Sequence, residues 1–394
     1  MQLIRKPTIA ALACTVALTV FILPHILPIK PKKFPASTPT AAAANGRKEI
    51  VYRDISHCLP KPEYFPMYKG HCWGRCNKQQ VCNVPASQTD VIAGRATLHC
   101  IANVHLVGVR KCATTDFTKW LMKNEKITYH LRDFRVLDEN CPIEWFENCY
   151  NIKFCDKRYK PETLKVGFFQ SSPGNILING QVNENSTHIT IATAMQYLGH
   201  MATPETIFYV QLRNPTDRAI SYFYHWHTLH SNQRIFTNMT VQQMDAKFMD
   251  GLLRRLLKDL KDCIGERGDF YCAFRSTGRD GDLDCLLPHS MYSVYIKEAF
   301  KFIPRSQFRF NTTDEYSVDP AGFARQFAQK YFHVGIPEKL TQETYSKKKD
   351  GKKNVLWIST LKLLDDFYEP YSRELAQLLG DSKYLFPVDR DAQS

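Results

Sequence analysis

Two segments of this 394-residue chain repeat one pattern, in which a short apolar run stops at basic residues and a helix start follows. The first is Asn103 to Leu121 (NVHLVGVRKCATTDFTKWL) and the second is Thr206 to Trp226 (TIFYVQLRNPTDRAISYFYHW). A short, almost wholly apolar run is the mark of a strand buried on both faces, which is the usual state of a strand in a parallel sheet. At the junction, the first backbone N–H groups of the helix lack intrahelical partners, and the positive end of the helix dipole points the same way. Such a junction binds anions. Two of them in one chain suit a ligand that carries phosphate at two ends.

The pattern continues along the chain. Strands are expected at Asn103–Val109, Lys165–Phe169, Ile207–Leu212 and Gln307–Phe310. Helices are expected at Thr115–Lys123, at about Thr216–Leu229, and at Val241–Leu260, Ser290–Phe302, Ala321–Tyr331 and Thr360–Leu379. Met244, Phe248, Leu252, Leu256 and Leu260 recur at helical spacing and read as a core-facing stripe. Strands alternating with helices give an α/β fold, with a P-loop-like, mainly parallel sheet flanked by helices. In such sheets ligands sit beyond the carboxyl ends of the strands, where both junctions fall.

The ends of the chain follow other rules. Residues 8–29 carry no formally charged side chain, about the length that spans a bilayer as a helix, and read as a signal-anchor after a short tail, 1–7. Pro24 and Pro28 would kink or end that helix, so a cleaved signal peptide is the other reading. Basic residues lie on both sides of the span, so charge alone leaves its orientation open. Residues 30–57 read as a stem, rich in Pro, Ala and Thr at Phe34–Asn45, and 58–99 as a Cys-rich lead-in. The stretch from about Glu49 to Leu98 reads as poor in strands. The main domain runs from 100 to 394.

Asn185, Asn238 and Asn311 each head an N-glycosylation sequon, and thirteen Cys, many of them clustered, suit disulfides in an oxidising compartment. Zinc fits less well, since Cys72, Cys76 and Cys82 lack a repeated CxxC pair. With Cys14 in the apolar span and Cys112 in the first loop set aside, eleven remain, so at least one more is free or pairs between chains. Cys272 and Cys285 flank a polar segment and are the candidates for one short bridge. Fifty-two Lys and Arg against 39 Asp and Glu give a net charge of +13, which favours a polyanionic partner without choosing among nucleic acid, acidic membrane and sulfated sugar.

The chemistry lies in the two loops. In Arg110-Lys-Cys-Ala-Thr-Thr115, Lys111 sets a cation beside a bound anion, and Thr114 and Thr115 add hydroxyls. No Gly-Lys-Ser/Thr follows a Gly-x4 loop, and the second strand ends at Arg213 rather than at an Asp able to hold magnesium. A nucleoside-triphosphate kinase is therefore disfavoured. In the second unit Asn214 suits a helix cap and Pro215 the first turn, while Arg213 can fork onto a phosphate with Ser221 as a further donor. Arg218 and Tyr224 are plausible supports. His225 and His227 lie on an aromatic helix and read as packing or cleft residues rather than metal ligands.

The pairing of VRKCATTDF with LRNPTDRAISYFY resembles the Golgi carbohydrate sulfotransferases that use 3'-phosphoadenosine 5'-phosphosulfate (PAPS). The first segment is similar to their PKxGTT loop, which holds the 5'-phosphosulfate. The second is similar to their RxPxxRxxSxY segment, which holds the 3'-phosphate. The likeness extends through Ser171-Ser-Pro173 and through Tyr292 in LPHSMYSVYIKEAF. The C-terminal LKLLDDFYEPYSRELAQLL and the lead-in containing MYKGHCW look most like the members that sulfate the 6-hydroxyl of N-acetylgalactosamine 4-sulfate.

The resemblance implies a sulfotransferase fold. It implies donor contacts from Arg110, Lys111, Cys112, Ala113, Thr114, Thr115, Arg213 and Ser221, with Lys349 and Lys352 in a basic loop that closes over the nucleotide or touches sulfated polymer. Lys111 would stabilise the leaving oxygen with no metal required, and Asp133, or failing it His130, would take the acceptor proton. Asp133 and Arg135 depart from the family's KExHFF-like segment, and Ala113 stands where the family has Gly, at a backbone position that a Cβ would strain.

The resemblance further implies a single-pass Golgi membrane protein with its body in the lumen and a glycosaminoglycan acceptor, of which a chondroitin or dermatan chain is favoured. A homodimer is compatible with it, and nucleic acid is not expected. The departures at Ala113 and Asp133 leave open a second reading, a catalytically weak or silent binder of sulfated polysaccharide on the same scaffold.

Overall fold

The computed structural model describes residues 48–53, 72–76, 89–90, 93, 95–100, 102–122, 127–131, 168–171, 177–178, 180–184, 188–230, 246–275, 285–335 and 358–387. Ten strands fall among them: β1 Glu49–Tyr52, β2 Cys72–Cys76, β3 Ala96–Cys100, β4 Val104–Gly108, β5 Thr128–Leu131, β6 Phe168–Ser171, β7 Gly180–Glu184, β8 His188–Thr193, β9 Ile207–Leu212 and β10 Phe308–Thr312. The helices are α1 Thr114–Met122, α2 Ala194–Met201, α3 Pro215–His230, α4 Ala246–Arg267, α5 Asp269–Phe274, α6 Tyr292–Ala299, α7 Thr313–Val318, α8 Pro320–Phe332 and α9 Ile358–Leu379.

The central sheet has the strand order β10-β9-β4-β6-β5, and every pairing in it is parallel. Period-2 alternation sends successive side chains of β4 and β9 to opposite faces. Val107, Val109, Phe208, Val210 and Leu212 join a core that also takes in residues of α2, α3, α4, α6 and α9. Val104, Leu106 and Tyr209 join a second core built with α1, α7 and α8. Phe117 centres that second core, with Tyr209, Tyr316, Phe323 and Phe327 at ring distances of 5.1, 5.9, 5.7 and 5.0 Å. Both faces of the sheet are thus covered, as a parallel sheet requires.

The chain order makes the sheet a binding scaffold. From β4 the chain moves to one side, to β5 and β6, and later returns to the other side as β9 and β10. The direction reverses between β4 and β9, which is the switch point where open α/β sheets form a crevice. Both basic loops follow the strands that flank it.

Elsewhere the structure corrects the sequence reading. The lead-in is not strand-poor. β2 pairs antiparallel with β3, setting Cys72 opposite Cys100, and β1 joins β8 and β7 in a separate three-stranded sheet. These strands are four or five residues long, with Cys, Gly, Arg and His among the apolar residues, so no alternation marks them. The expected Cys272–Cys285 bridge is replaced by Cys263–Cys272, with Cα atoms 6.0 Å apart. Gly268, at φ 85, turns α5 back against the end of α4 and brings Cys272 to Cys263, while Cys285 is a buried thiol. Asn311 lies in β10, 7% exposed, with its Nδ2 donating to the carbonyl of Thr312, so this sequon has no room for a glycan in the folded protein. Asn185 and Asn238 lie outside the described residues, as do the span 8–29 and the stem through Arg47. Among the described residues no helix is long and apolar enough to cross a membrane.

Candidate active site

β4 ends in a turn that the sequence builds from small and basic residues. The amide of Cys112 donates to the carbonyl of Val109 at 3.1 Å, and that of Phe117 to Ala113 at 3.1 Å, opening α1. Lys111 and Ala113 hold the left-handed backbone, φ 73 and 59, so the expected αL position is present and carries a Cβ. Helix geometry leaves the N–H groups that begin α1 without intrahelical partners. Thr114 is buried, with its carbonyl accepting from the Thr118 hydroxyl at 2.9 Å, and Thr115 is exposed. Beneath the loop the buried Cys112 thiol lies 3.9 Å from the hydroxyl of Tyr292 on α6. Burial pushes that thiol up to about 11, against the pull of Arg218, Tyr292 and Arg213. It is a packed neutral group and not a nucleophile.

The second loop is tied to the first. The amide of Val109 donates to the carbonyl of Gln211 at 3.0 Å, and Gly108 is in register with Val210. Asn214 caps α3, its Oδ1 accepting from the Asp217 amide at 3.0 Å and its Nδ2 donating to Phe386 at 3.3 Å. With Pro215 lacking an N–H and Asp217 capped, this junction offers fewer free amides than the first. The two junctions therefore differ: one presents backbone N–H groups with Lys111, and the other presents the side chains of Arg213 and Ser221, both partly buried.

The charges converge. Burial first, then the guanidinium groups of Arg110 and Arg213, hold the Lys111 ammonium below the usual lysine range, and Arg218 adds to the effect. Arg110 and Arg218 each place a guanidinium carbon 5.6 Å from the ring centroid of Tyr222. Arg218 is fully buried; its Nε donates to Ser290 Oγ at 2.5 Å and its Nη2 to the Leu286 carbonyl. Ser290 in turn donates to the Pro215 carbonyl at 2.9 Å. No protein group accepts from Arg218 Nη1 among the described residues. The donor set is cationic and amide-rich, and it suits a polyanion held at two ends.

His130, near the end of β5, is in register with Gln170 of β6, at the same carboxyl edge as both loops. Asp133, Lys349 and Lys352 lie outside the described residues. The sequence reading missed the buried pair of His289 and Ser290 behind α3, and it gave no role at the loop to His225. Burial first, then Lys111 and Arg110, bring His225 down to about 4. Its signal in the sequence was its spacing, one helical turn beyond Ser221 and Tyr222.

No family model matches the chain. The relatives it resembles are carbohydrate sulfotransferases. Human carbohydrate sulfotransferase 15 is 19% identical over 328 residues, taking in 73% of this chain and 55% of that protein. The rat protein of the same name is 20% identical over the same length and shares. The chain thus spans little more than half the length of the curated relatives it matches. A crystal structure of a sulfotransferase from Alicyclobacillus acidocaldarius covers 72% of this chain and 99% of its own, at 15% identity and a TM-score of 0.44, a likeness too slight to argue from.

Proposed function

We propose that this protein transfers a sulfuryl group from PAPS to a hydroxyl of a carbohydrate. The observation that carries the reading is the meeting of Lys111 and Arg213 across the β4–β9 switch point, each two residues beyond a hydrogen-bonded strand pair. Weak similarity to carbohydrate sulfotransferase 15 from human and rat supports the same reading.

PAPS, when bound, supplies an activated sulfuryl group on a phosphate leaving group. The amides at the start of α1 and the ammonium of Lys111 face the charge that grows on the leaving oxygen. Arg213, with Ser221 two turns along α3, holds the 3'-phosphate and so selects this donor over ordinary adenine nucleotides. The loop keeps its turn with Ala at 113, which favours an active site over a silent one. The acceptor we favour is the 6-hydroxyl of N-acetylgalactosamine 4-sulfate in a chondroitin or dermatan chain, with the work done in the Golgi lumen by a membrane-anchored chain.

The test is to incubate the purified full-length protein with labelled PAPS and a panel of desulfated and sulfated chondroitin, dermatan and heparan chains. Label should enter one chain class, and disaccharide analysis then names the position. Absence of both incorporation and calorimetric heat with desulfated donor (PAP) sinks the proposal; affinity for chondroitin or heparin without incorporation supports the silent polysaccharide binder instead.

A further inference from the structure

β1 is the edge of the sheet β1-β8-β7. It pairs in parallel with β8, and among the described residues no strand lies on its other side. Natural proteins keep such edges from pairing with Pro, Lys, bulges or inward-pointing charges. Between the end residues of Glu49-Ile-Val-Tyr52 there are none of these. Ile50 and Val51 are instead 40% and 38% exposed, two of the four exposed large hydrophobic residues of the described chain.

The backbone of this edge has a fixed parity. The Arg53 amide donates to the Ile191 carbonyl at 2.8 Å, while Tyr52 is in register with Ile191. Alternate residues of a parallel strand bond the same neighbour, so the backbone groups of Glu49, Val51 and Arg53 face β8 and those of Ile50 and Tyr52 point outward. An antiparallel partner therefore bonds Ile50 and Tyr52, and a second copy must set even-numbered residues opposite even-numbered ones. The side chains select one such register. About a two-fold axis at Val51, Ile50 lies opposite Tyr52 of the partner and Glu49 opposite Arg53 of the partner, and each pair occurs twice. The neighbouring registers of the same parity pair Ile50 or Tyr52 with itself and lose both opposite-charge pairs. Tyr52 is already held in place: Lys301 Nζ donates to its hydroxyl at 2.7 Å, and its ring meets Phe302 edge-on at 5.2 Å. Ile50 of the partner would extend that apolar cluster.

We propose that β1 is the surface by which two copies of this chain join, strand against strand, antiparallel and centred on Val51. The two three-stranded sheets become one continuous sheet. The contact uses the same patch on both copies, so it closes at two. It is independent of the chemistry at the β4 and β9 loops.

The test measures mass and crosslinking on the full-length protein. Analytical ultracentrifugation should give twice the chain mass. At the two-fold axis Val51 faces its own copy in a pair without hydrogen bonds, with Cα atoms about 4.5 Å apart, inside the range of about 4.4–6.8 Å that a disulfide spans. Val51→Cys should therefore form a covalent dimer on mild oxidation, above the background that the native cysteines set in the parent. Ile50→Cys, at a residue of similar exposure, has its symmetry mate two positions out of register and should crosslink about 10-fold less. Ile50→Pro removes an outward N–H and spares the ladder to β8, so it should give a monomer with the parent's circular dichroism. A monomeric parent means that the edge is open or covered by another part of the chain, and overturns the proposal. A dimer in which Val51→Cys crosslinks no better than Ile50→Cys, or which survives Ile50→Pro, overturns it as well.

Discussion

Val109 donates its amide hydrogen to the carbonyl of Gln211 at 3.0 Å, and two residues beyond each partner the chain presents a cation, Lys111 on one side and Arg213 on the other. The spacing between the two cations is thereby fixed by a backbone bond rather than by side-chain packing. On the proposed sulfuryl transfer, Lys111→Ala should lower turnover by about 100–1000-fold, because it would remove a preorganised charge at the leaving oxygen. Arg213→Ala should act on binding instead, costing about 1.5–3 kcal/mol of PAP affinity through lost charge-assisted bonds. Calorimetry with PAP and with a nucleotide lacking the 3'-phosphate separates the two effects. The Arg213 variant should lose discrimination between these ligands, and the Lys111 variant should keep it.

Ala113 holds φ 59, a conformation that glycine adopts freely. An L-residue there costs about 1–2 kcal/mol, part of which is offset by the extra chain entropy that glycine loses on folding, about 0.5–1 kcal/mol. Ala113→Gly should therefore be neutral or stabilising by up to about 1.5 kcal/mol, whereas the same exchange inside a helix destabilises. Denaturant melts of the two proteins measure it. A clear loss of stability means that the loop does not hold the left-handed turn described above.

The bridge between Cys263 and Cys272 closes a loop with a sequence separation of nine. Removing a constraint of that size costs about 2–3 kcal/mol. Cys263→Ser and Cys272→Ser should each lose this amount, and the double variant should lose no more than either, since one bond is broken in all three. Non-reducing peptide mapping should recover the Cys263–Cys272 pair. Cys285→Ala, at a buried thiol, should leave the protein's sensitivity to reductant unchanged.

The strongest elements were legible because their pattern and their packing agree. β9 matches its expected bounds, and β4, α1, α3, α8 and α9 fall within two residues of theirs, since long apolar or amphipathic runs met clear stops such as Pro215. The switch-point geometry was legible too, through two motifs that end in basic residues. What escaped notice was nonlocal. β1 gains its strand state from β8, more than a hundred positions away, and nothing in EIVY announces it. The bridge to Cys263 depends on the turn at Gly268, which composition does not reveal. Arg218 was legible as a support of the second loop, but its full burial against Tyr222 and Ser290 was not, since Ser290 lies 72 positions away.

Glu315 closes a capping box at the end of β10, accepting from the Thr312 amide at 2.9 Å while its own amide donates to the Thr312 hydroxyl at 3.2 Å. Lys383 donates to its other oxygen at 3.0 Å. Burial alone would raise its pKa, but the Thr312 amide and Lys383 outweigh that and hold the carboxyl below the usual glutamate value. A depressed carboxylate contributes stability that is present above its unfolded pKa, about 4.3, and is lost as pH falls through the folded value. Glu315→Gln can keep both capping bonds but cannot titrate. Its deficit against the parent, under about 1 kcal/mol at neutral pH because the pair is partly exposed, should shrink as acid is added. Melts across that acid window check the sign.

Arg218 is a fully buried cation whose hydrogen-bond acceptors are a serine hydroxyl and a backbone carbonyl, with Nη1 unmatched among the described protein groups. Neither acceptor carries a formal charge, so its positive field extends to the loop, where it adds to the pressure on Lys111 and Cys112. An anion bound between Lys111 and Arg213 relieves that repulsion, which lowers its Kd and so raises the mass-action stabilisation of the folded protein at a given ligand concentration. At a ligand concentration 100 times its Kd, mass action alone supplies about 2.7 kcal/mol. PAP should therefore raise Tm strongly at low ionic strength, and the rise should shrink with salt. Arg218→Met fills the same space without charge. It should bind PAP more weakly and show a smaller Tm rise, while the unliganded protein loses less stability than a buried, paired arginine would cost, about 3–5 kcal/mol. Scanning fluorimetry of both proteins over a PAP and salt grid decides it: equal shifts in parent and variant would mean that Arg218 serves only to anchor α3 to Ser290.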